Sequence, residues 1–171
     1  MLRSYLEKVM GLCTGSDGDL DKGLVRELMD KGFAGEGLAD KRVQVVKTHF
    51  PERFGTHKFQ ADKAILLVRN PLDAITSLYN MIATSSHQYS ISEDDFEKFK
   101  DAWDEHLKRE ITVWKDFNLW WMNAKVPVHI VRYEDLKSEP KDVLKGVLEF
   151  VLDTDDISGT RIEGYLNQAL N

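Results

Sequence analysis

The chain has 171 residues, enough for one domain with a real core, and its 42% hydrophobic and 30% charged content is ordinary for a soluble fold. A formal net charge of -6 argues against a general nucleic-acid binder, which needs a basic face, and the single cysteine, Cys13, excludes an internal disulfide framework and a thiolate zinc site. No run approaches the ~18 apolar residues of a membrane span and no apolar signal-peptide core opens the chain, so the expectation is a protein that is cytoplasmic as written, with no metal.

Leu2, Leu6, Val9 and Met10 recur at helical spacing and Gly11 closes the pattern, so the chain opens inside a helix. The cluster from Thr14 to Asp19 lacks the Gly-Lys-Ser/Thr ending of a phosphate-binding loop and is too short for an EF-hand, and it reads as a plain loop. Leu24, Val25, Leu28 and Met29 mark a second helix ended by Gly32, and Gly35 and Gly37 loosen the loop after it. Val43 to Val46 reads as a short buried strand running into the sequence KTHFP, Lys47 to Pro51. In extended chain, residues two apart share a face, so Lys47 and His49 point into the same cleft at the strand's C-terminal edge, where open parallel sheets bind ligands. A cation beside an imidazole suits group transfer: the lysine neutralises developing charge and the histidine takes a proton. The plainer alternative is a surface lysine beside a hydrogen-bonded histidine.

The segment Lys63 to Asn80 organises the rest. Ala64 to Val68 is an uninterrupted apolar run suited to a parallel strand buried on both faces, and it ends at Arg69. Asn70 as N-cap, Pro71 at the first helical position and Asp73 in the first turn start a helix with Leu72, Ile75, Tyr79 and Ile82 as its apolar stripe. Ser77 comes one helical turn after Asp73 and so lies near the mouth from which Arg69 emerges. A forked guanidinium, a helix N-terminus and a hydroxyl outline an anion site. The alternative is an arginine paired with Asp73 and a solvated serine.

Ser92 and Asp95 form a capping box before Phe96, Phe99, Trp103, Leu107, Ile111, Trp114, Phe117 and Trp121, an aromatic stripe that spans two helices with a break and is assigned to packing. Val126 to Val131 is a third strand, ending in Arg132-Tyr133-Glu134-Asp135-Leu136. Pro140 opens a helix with Leu144, Val147, Leu148 and Val151, and an amphipathic segment from Ile162 to Leu170 ends the chain. Helices alternating with buried-type strands make the class α/β with a parallel sheet.

Three motifs in this order, KTHFP at Lys47, RNPLDAITS at Arg69 and RYEDLKSEP at Arg132, resemble the PAPS-dependent sulfotransferase family. FEKF at Phe96 and the pair Trp120-Trp121 are also similar, and the KTHFPERFG wording with the GLCTGS opening looks closest to the sulfotransferase domains of WSC-domain proteins. The resemblance implies a three-layer fold with a central parallel sheet of the P-loop NTPase-like type. It implies sulfonate transfer from PAPS to a hydroxyl or amine of a small molecule, glycan or protein, leaving 3′,5′-ADP. In the family the arginine and serine of the RNP segment bind the 3′-phosphate, which carries over to Arg69 and Ser77. The lysine near the sulfonate and the histidine general base carry over to Lys47 and His49, and Tyr133 falls beside the adenine side.

Two family elements have no counterpart. The phosphosulfate loop, a Lys-Ser-Gly-Thr-Thr-Trp type sequence on the first strand, should precede the opening helix, and a basic, glycine-rich segment should come after Tyr165. The resemblance therefore implies a single, incomplete domain over residues 1–171, missing its first strand. The strands that should flank it, Ala64 to Val68 and Val128 to Val131, would close on each other or leave unpaired backbone that invites self-association. The competing reading is a truncated or degenerate relative that acts as a binding or regulatory protein. A nucleotide-kinase-like phosphotransferase is disfavoured because no Walker lysine is present.

Overall fold

A computed structural model describes residues 1–18, 23–52, 59–86 and 89–171; Asp19 of the turn cluster and Arg53 to Gly55 of the KTHFPERFG stretch lie outside them. In chain order the elements are α1 (Leu2–Met10), β1 (Gly15–Ser16), α2 (Gly23–Asp30), β2 (Val46–Lys47), β3 (Ala64–Val68) and α3 (Pro71–Thr84), then α4 (Glu93–Lys98), α5 (Lys100–Met122), β4 (Val128–Arg132), α6 (Tyr133–Ser138), α7 (Pro140–Leu152) and α8 (Arg161–Leu170). The α/β class and the parallel pairing expected from the sequence hold. Among the described residues, however, the strands form two parallel pairs, β1 with β2 and β3 with β4, in place of one central sheet.

β3 and β4 run side by side from Ala64 opposite Val128 to Val68 opposite Arg132, so the two strands that the resemblance sets apart close directly on each other. Neither strand is buried on both faces. Leu66 and Val131 are buried, whereas Leu67 is 43% and Ile130 48% exposed, because a sheet of two strands is too narrow for the surrounding helices to cover completely. The main core lies where Val131 meets α1, α6, α7 and α8: Leu6, Val9, Leu136, Leu144, Val147, Leu148, Ile157 and Leu166 are all buried there. Each such side chain stabilises the fold by about 1.5–3 kcal/mol relative to exposure.

The Thr14 cluster is not a plain loop. Gly15 donates its N–H to the Val45 carbonyl at 2.7 Å and Asp17 donates to the Lys47 carbonyl at 3.2 Å, making β1 a strand beside β2. A Cβ at Gly15 would lie 2.0 Å from the Leu38 carbonyl oxygen, so the close approach requires glycine. Gly35, expected to loosen its loop, is buried against the Thr14 carbonyl in the same way. Holding them is a buried polar network: Arg3 pairs with Glu36 and donates to Thr14 Oγ1 at 2.7 Å, Ser16 Oγ donates to Glu36 at 2.6 Å, and Glu7 accepts from the Thr14 N–H at 2.7 Å. The strand expected over Val43 to Val46 shrinks to Val46–Lys47 because its ladder extends only as far as the two residues of β1.

Asn70 caps α3 as the sequence indicates, accepting from the N–H of Leu72 at 2.9 Å and of Asp73 at 3.4 Å. Of the expected stripe, Ile75 is buried, but Leu72 and Ile82 are each 57% exposed. The reason is that α3 packs chiefly on α5, and Tyr79 turns into an aromatic cluster with Phe96 of α4 and Trp103 and His106 of α5. The helix break falls at Phe99, after a turn that Ser92 caps by accepting from the Asp95 N–H at 3.1 Å.

Candidate functional site

Lys47 ends β2, His49 lies two residues beyond it, Arg69 comes directly after β3, and Ser77 lies on the second turn of α3. The fold brings these four to one cavity of about 520 Å³, whose apolar wall comes from Leu67, from Ile75 and Leu78 of α3, and from Trp114 and Phe117 of α5. A second cavity of about 310 Å³ shares Arg69 and Ser77 and is walled by Asp73, Thr76, Asn80, Ser86, Tyr89 and Ser90. Arg69 and Ser77 thus face a hydroxyl-rich space on one side and the space of Lys47 and His49 on the other. A guanidinium with several hydroxyls is the donor set that a phosphate dianion takes, so the residues fit the 3′-phosphate of a nucleotide.

The turn carrying Arg69 is pinned from three directions. Trp114 Nε1 donates to the Arg69 carbonyl at 3.1 Å, the Asn70 N–H donates to Glu134 Oε1 at 2.8 Å, and the Arg69 guanidinium lies 4.9 Å from the Tyr133 ring centroid. Arg69 forms no ion pair with Asp73 among the described residues, so the plain alternative of an Arg69–Asp73 pair does not hold. Tyr133 lines neither cavity; it lies beneath Arg69 at the start of α6.

The KTH segment is fixed in a similar manner. Thr48 Oγ1 donates to Asp17 Oδ2 at 2.5 Å and accepts from the Phe50 N–H at 2.9 Å, and Trp121 Nε1 donates to the Phe50 carbonyl at 2.8 Å. The acidic groups Glu27, Glu52 and Glu110 also reach the larger cavity; Glu27 pairs with Lys31 at 2.5 Å and Glu110 with Arg109 at 2.9 Å.

Sequence reasoning assigns the aromatic stripe to packing and so misses that Trp114 and Trp121 each spend an indole N–H on the backbone of a motif segment. Their spacing of two helical turns on α5 is the available signal, since it puts both on one face. Glu134 and Asp17 are missed because their partners are 64 and 31 residues away in sequence.

Glu134 gives a pH dependence. The Asn70 N–H holds its carboxyl below the usual range, aided by Arg132 and Arg69. A carboxylate with a lowered folded pKa stabilises the fold above its unfolded pKa, near 4.3, and loses that contribution as pH falls through the folded value. Glu134→Gln is therefore expected to flatten the fall in thermal stability as pH drops below the unfolded value. Parallel melts of the two proteins across that range check it, and superimposable curves would contradict it.

Among the described residues no helix is long and apolar enough to cross a membrane, and no group of three or more His, Cys, Asp or Glu is placed to hold a metal ion.

Comparison with known proteins bears on the same residues. A family model described as "Sulfotransferase domain" matches residues 28–156, which include Lys47, His49, Arg69, Ser77 and Tyr133. A WSCD family member of Aedes aegypti is 33% identical over 154 residues, covering 88% of this chain and 45% of that protein. A WSCD family member of Drosophila melanogaster is 31% identical over 153 residues, with 88% and 45% covered. Mouse sulfotransferase 1A1 is 29% identical over 119 residues, with 63% and 38% covered. The chain spans less than half the length of these curated relatives, and no solved structure matches it. With the family match running through both motif segments that meet at the cavity, the chain belongs to the sulfotransferase domain family.

Proposed function

We propose that this chain carries the acceptor-activating and 3′-phosphate-binding parts of a sulfotransferase site, in a domain of the family's three-layer type. The observation that supports the reading is that Lys47, His49, Arg69 and Ser77, which come from two separate motif segments, line one cavity. Arg69 and Ser77 would hold the 3′-phosphate of PAPS, the guanidinium by its N–H groups and the serine by its hydroxyl. Tyr133 orients Arg69 by stacking under it. His49 accepts the proton of an acceptor hydroxyl or amine, and Lys47 offsets the negative charge that grows on the transferring group. When bound, PAPS would supply the sulfonyl group that the acceptor oxygen or nitrogen takes, with 3′,5′-ADP as the leaving group. The apolar wall formed by Leu78, Trp114 and Phe117 keeps water from competing with the acceptor. Exposure of Leu67 and Ile130 on the β3–β4 pair favours self-association of the chain when it is alone.

The nucleotide half of this reading is testable without turnover. Arg69→Ala is expected to weaken 3′,5′-ADP binding by about 1.5–3 kcal/mol, the range for a hydrogen bond to a charged group. Calorimetry reads it directly, and equal affinity in the two proteins would remove Arg69 from the site.

A further inference from the structure

Asp17 lies outside both cavities, is 8% exposed, and comes directly after a strand whose sequence carries no chemistry of its own. Two of its contacts go to the segment that bears Lys47 and His49. The Asp17 N–H donates to the Lys47 carbonyl at 3.2 Å, and its Oδ2 accepts from Thr48 Oγ1 at 2.5 Å. The same Thr48 oxygen accepts from the Phe50 N–H at 2.9 Å, so one hydroxyl spans His49 and is held at its far side by a buried carboxylate. Trp121 then fixes the Phe50 carbonyl.

We infer that Asp17, acting through Thr48, is a positioning residue that sets where Lys47 and His49 stand at the cavity. A hydroxyl rotates freely unless its proton has a fixed acceptor, and Asp17 supplies one. With that acceptor in place the Thr48 lone pair is turned toward the Phe50 N–H, and the backbone on both sides of His49 is tied down. Without it the turn over His49 loosens, although β1 itself stays anchored. The anchoring of β1 depends on Arg3, Thr14, Ser16 and Glu36, none of which needs the Asp17 side chain. Position can therefore be disturbed separately from folding.

The inference rests on the proposed transfer site for its functional meaning, and the test separates the two. Ring and backbone NMR spectra of the 171-residue chain are recorded across pH for wild type, Asp17→Ala, Thr48→Val and Thr48→Ser. Asp17→Ala and Thr48→Val are expected to shift the His49 ring titration and the amides of Lys47 to Phe50 alike. Thr48→Ser, which keeps the hydroxyl, should restore the wild-type pattern. Where sulfonate transfer from PAPS is measurable, the first two variants should slow it by about a hundredfold, the cost of a small misplacement of reacting groups, with 3′,5′-ADP affinity unchanged. A His49 titration and Lys47 to Phe50 amides that do not move in Asp17→Ala would overturn the inference. If Asp17→Ala fails to fold, Thr48→Val removes the same hydrogen bond, and an unmoved spectrum in that variant would overturn it equally. Failure of wild type to bind 3′,5′-ADP would count against the transfer site and leave the positioning result to be read on its own.

Discussion

Replacing His49 with alanine is expected to lower sulfonate transfer by about 10²–10⁴-fold, the range for losing a general base, with nucleotide affinity unchanged. The separation of effects comes from the placement of the residues. His49 lines only the larger cavity, whereas Arg69 and Ser77 also line the smaller, hydroxyl-rich one, so removing the imidazole leaves the phosphate donors intact. Lys47 remains to offset charge, which sets the loss at that of one proton acceptor and no more. The measurement is transfer from labelled PAPS, with 3′,5′-ADP binding measured alongside. Unchanged turnover would dispose of His49 as the base; a parallel fall in nucleotide affinity would place it in the binding site.

The largest expected effect on stability lies far from the cavity. Arg3→Ala should destabilise the fold by about 3–5 kcal/mol, because it leaves the Glu36 carboxylate buried without its countercharge. The Glu36 side chain is 1% exposed and that of Arg3 is 15% exposed, so solvent does little to screen the pair. Against a total stability of about 5–15 kcal/mol, this is enough to unfold a marginal chain. Urea denaturation reads the loss, and adding Glu36→Gln to Arg3→Ala should recover part of it, since the amide keeps an acceptor for Ser16 and removes the stranded charge. A loss below about 1 kcal/mol, as for a surface ion pair, would mean that water reaches Glu36. The network also bears on the site: it holds β1 beside β2, and β1 carries Asp17 to Thr48.

Local chemistry is readable from sequence wherever cause and effect lie within one helical turn. Asn70, Pro71 and Asp73 start α3 where expected, Ser92 caps α4, and the run Ala64 to Val68 is a strand over its whole predicted length. The convergence of Lys47, His49, Arg69 and Ser77 also agrees with the rule that strand ends gather ligands, even though the strands form two pairs and not one sheet. Contacts between distant segments are not readable. Gly15 and Ser16 have no β-strand signature, and their strand exists because Leu38, Val45 and Glu36 surround them. The faces of α3 are misjudged for the same reason: periodicity fixes a stripe, but whether Leu72 or Tyr79 is covered depends on where α5 lies. Trp114 and Trp121 are only half-buried, and Trp114 walls the larger cavity, so the packing assignment misses what their N–H groups hold.

The central claim, that residues from the KTH and RNP segments form one nucleotide-linked site, is tested most directly by titrating 3′,5′-ADP into the chain while tracking backbone and side-chain resonances. Signals of Arg69, Ser77, Lys47, His49 and the Trp114 indole should move together along one saturating curve, and Arg69→Ala should shift that curve to higher ligand concentration. Saturable movement confined to residues away from the two cavities, or no movement at concentrations where the family's nucleotide binds, would contradict the account.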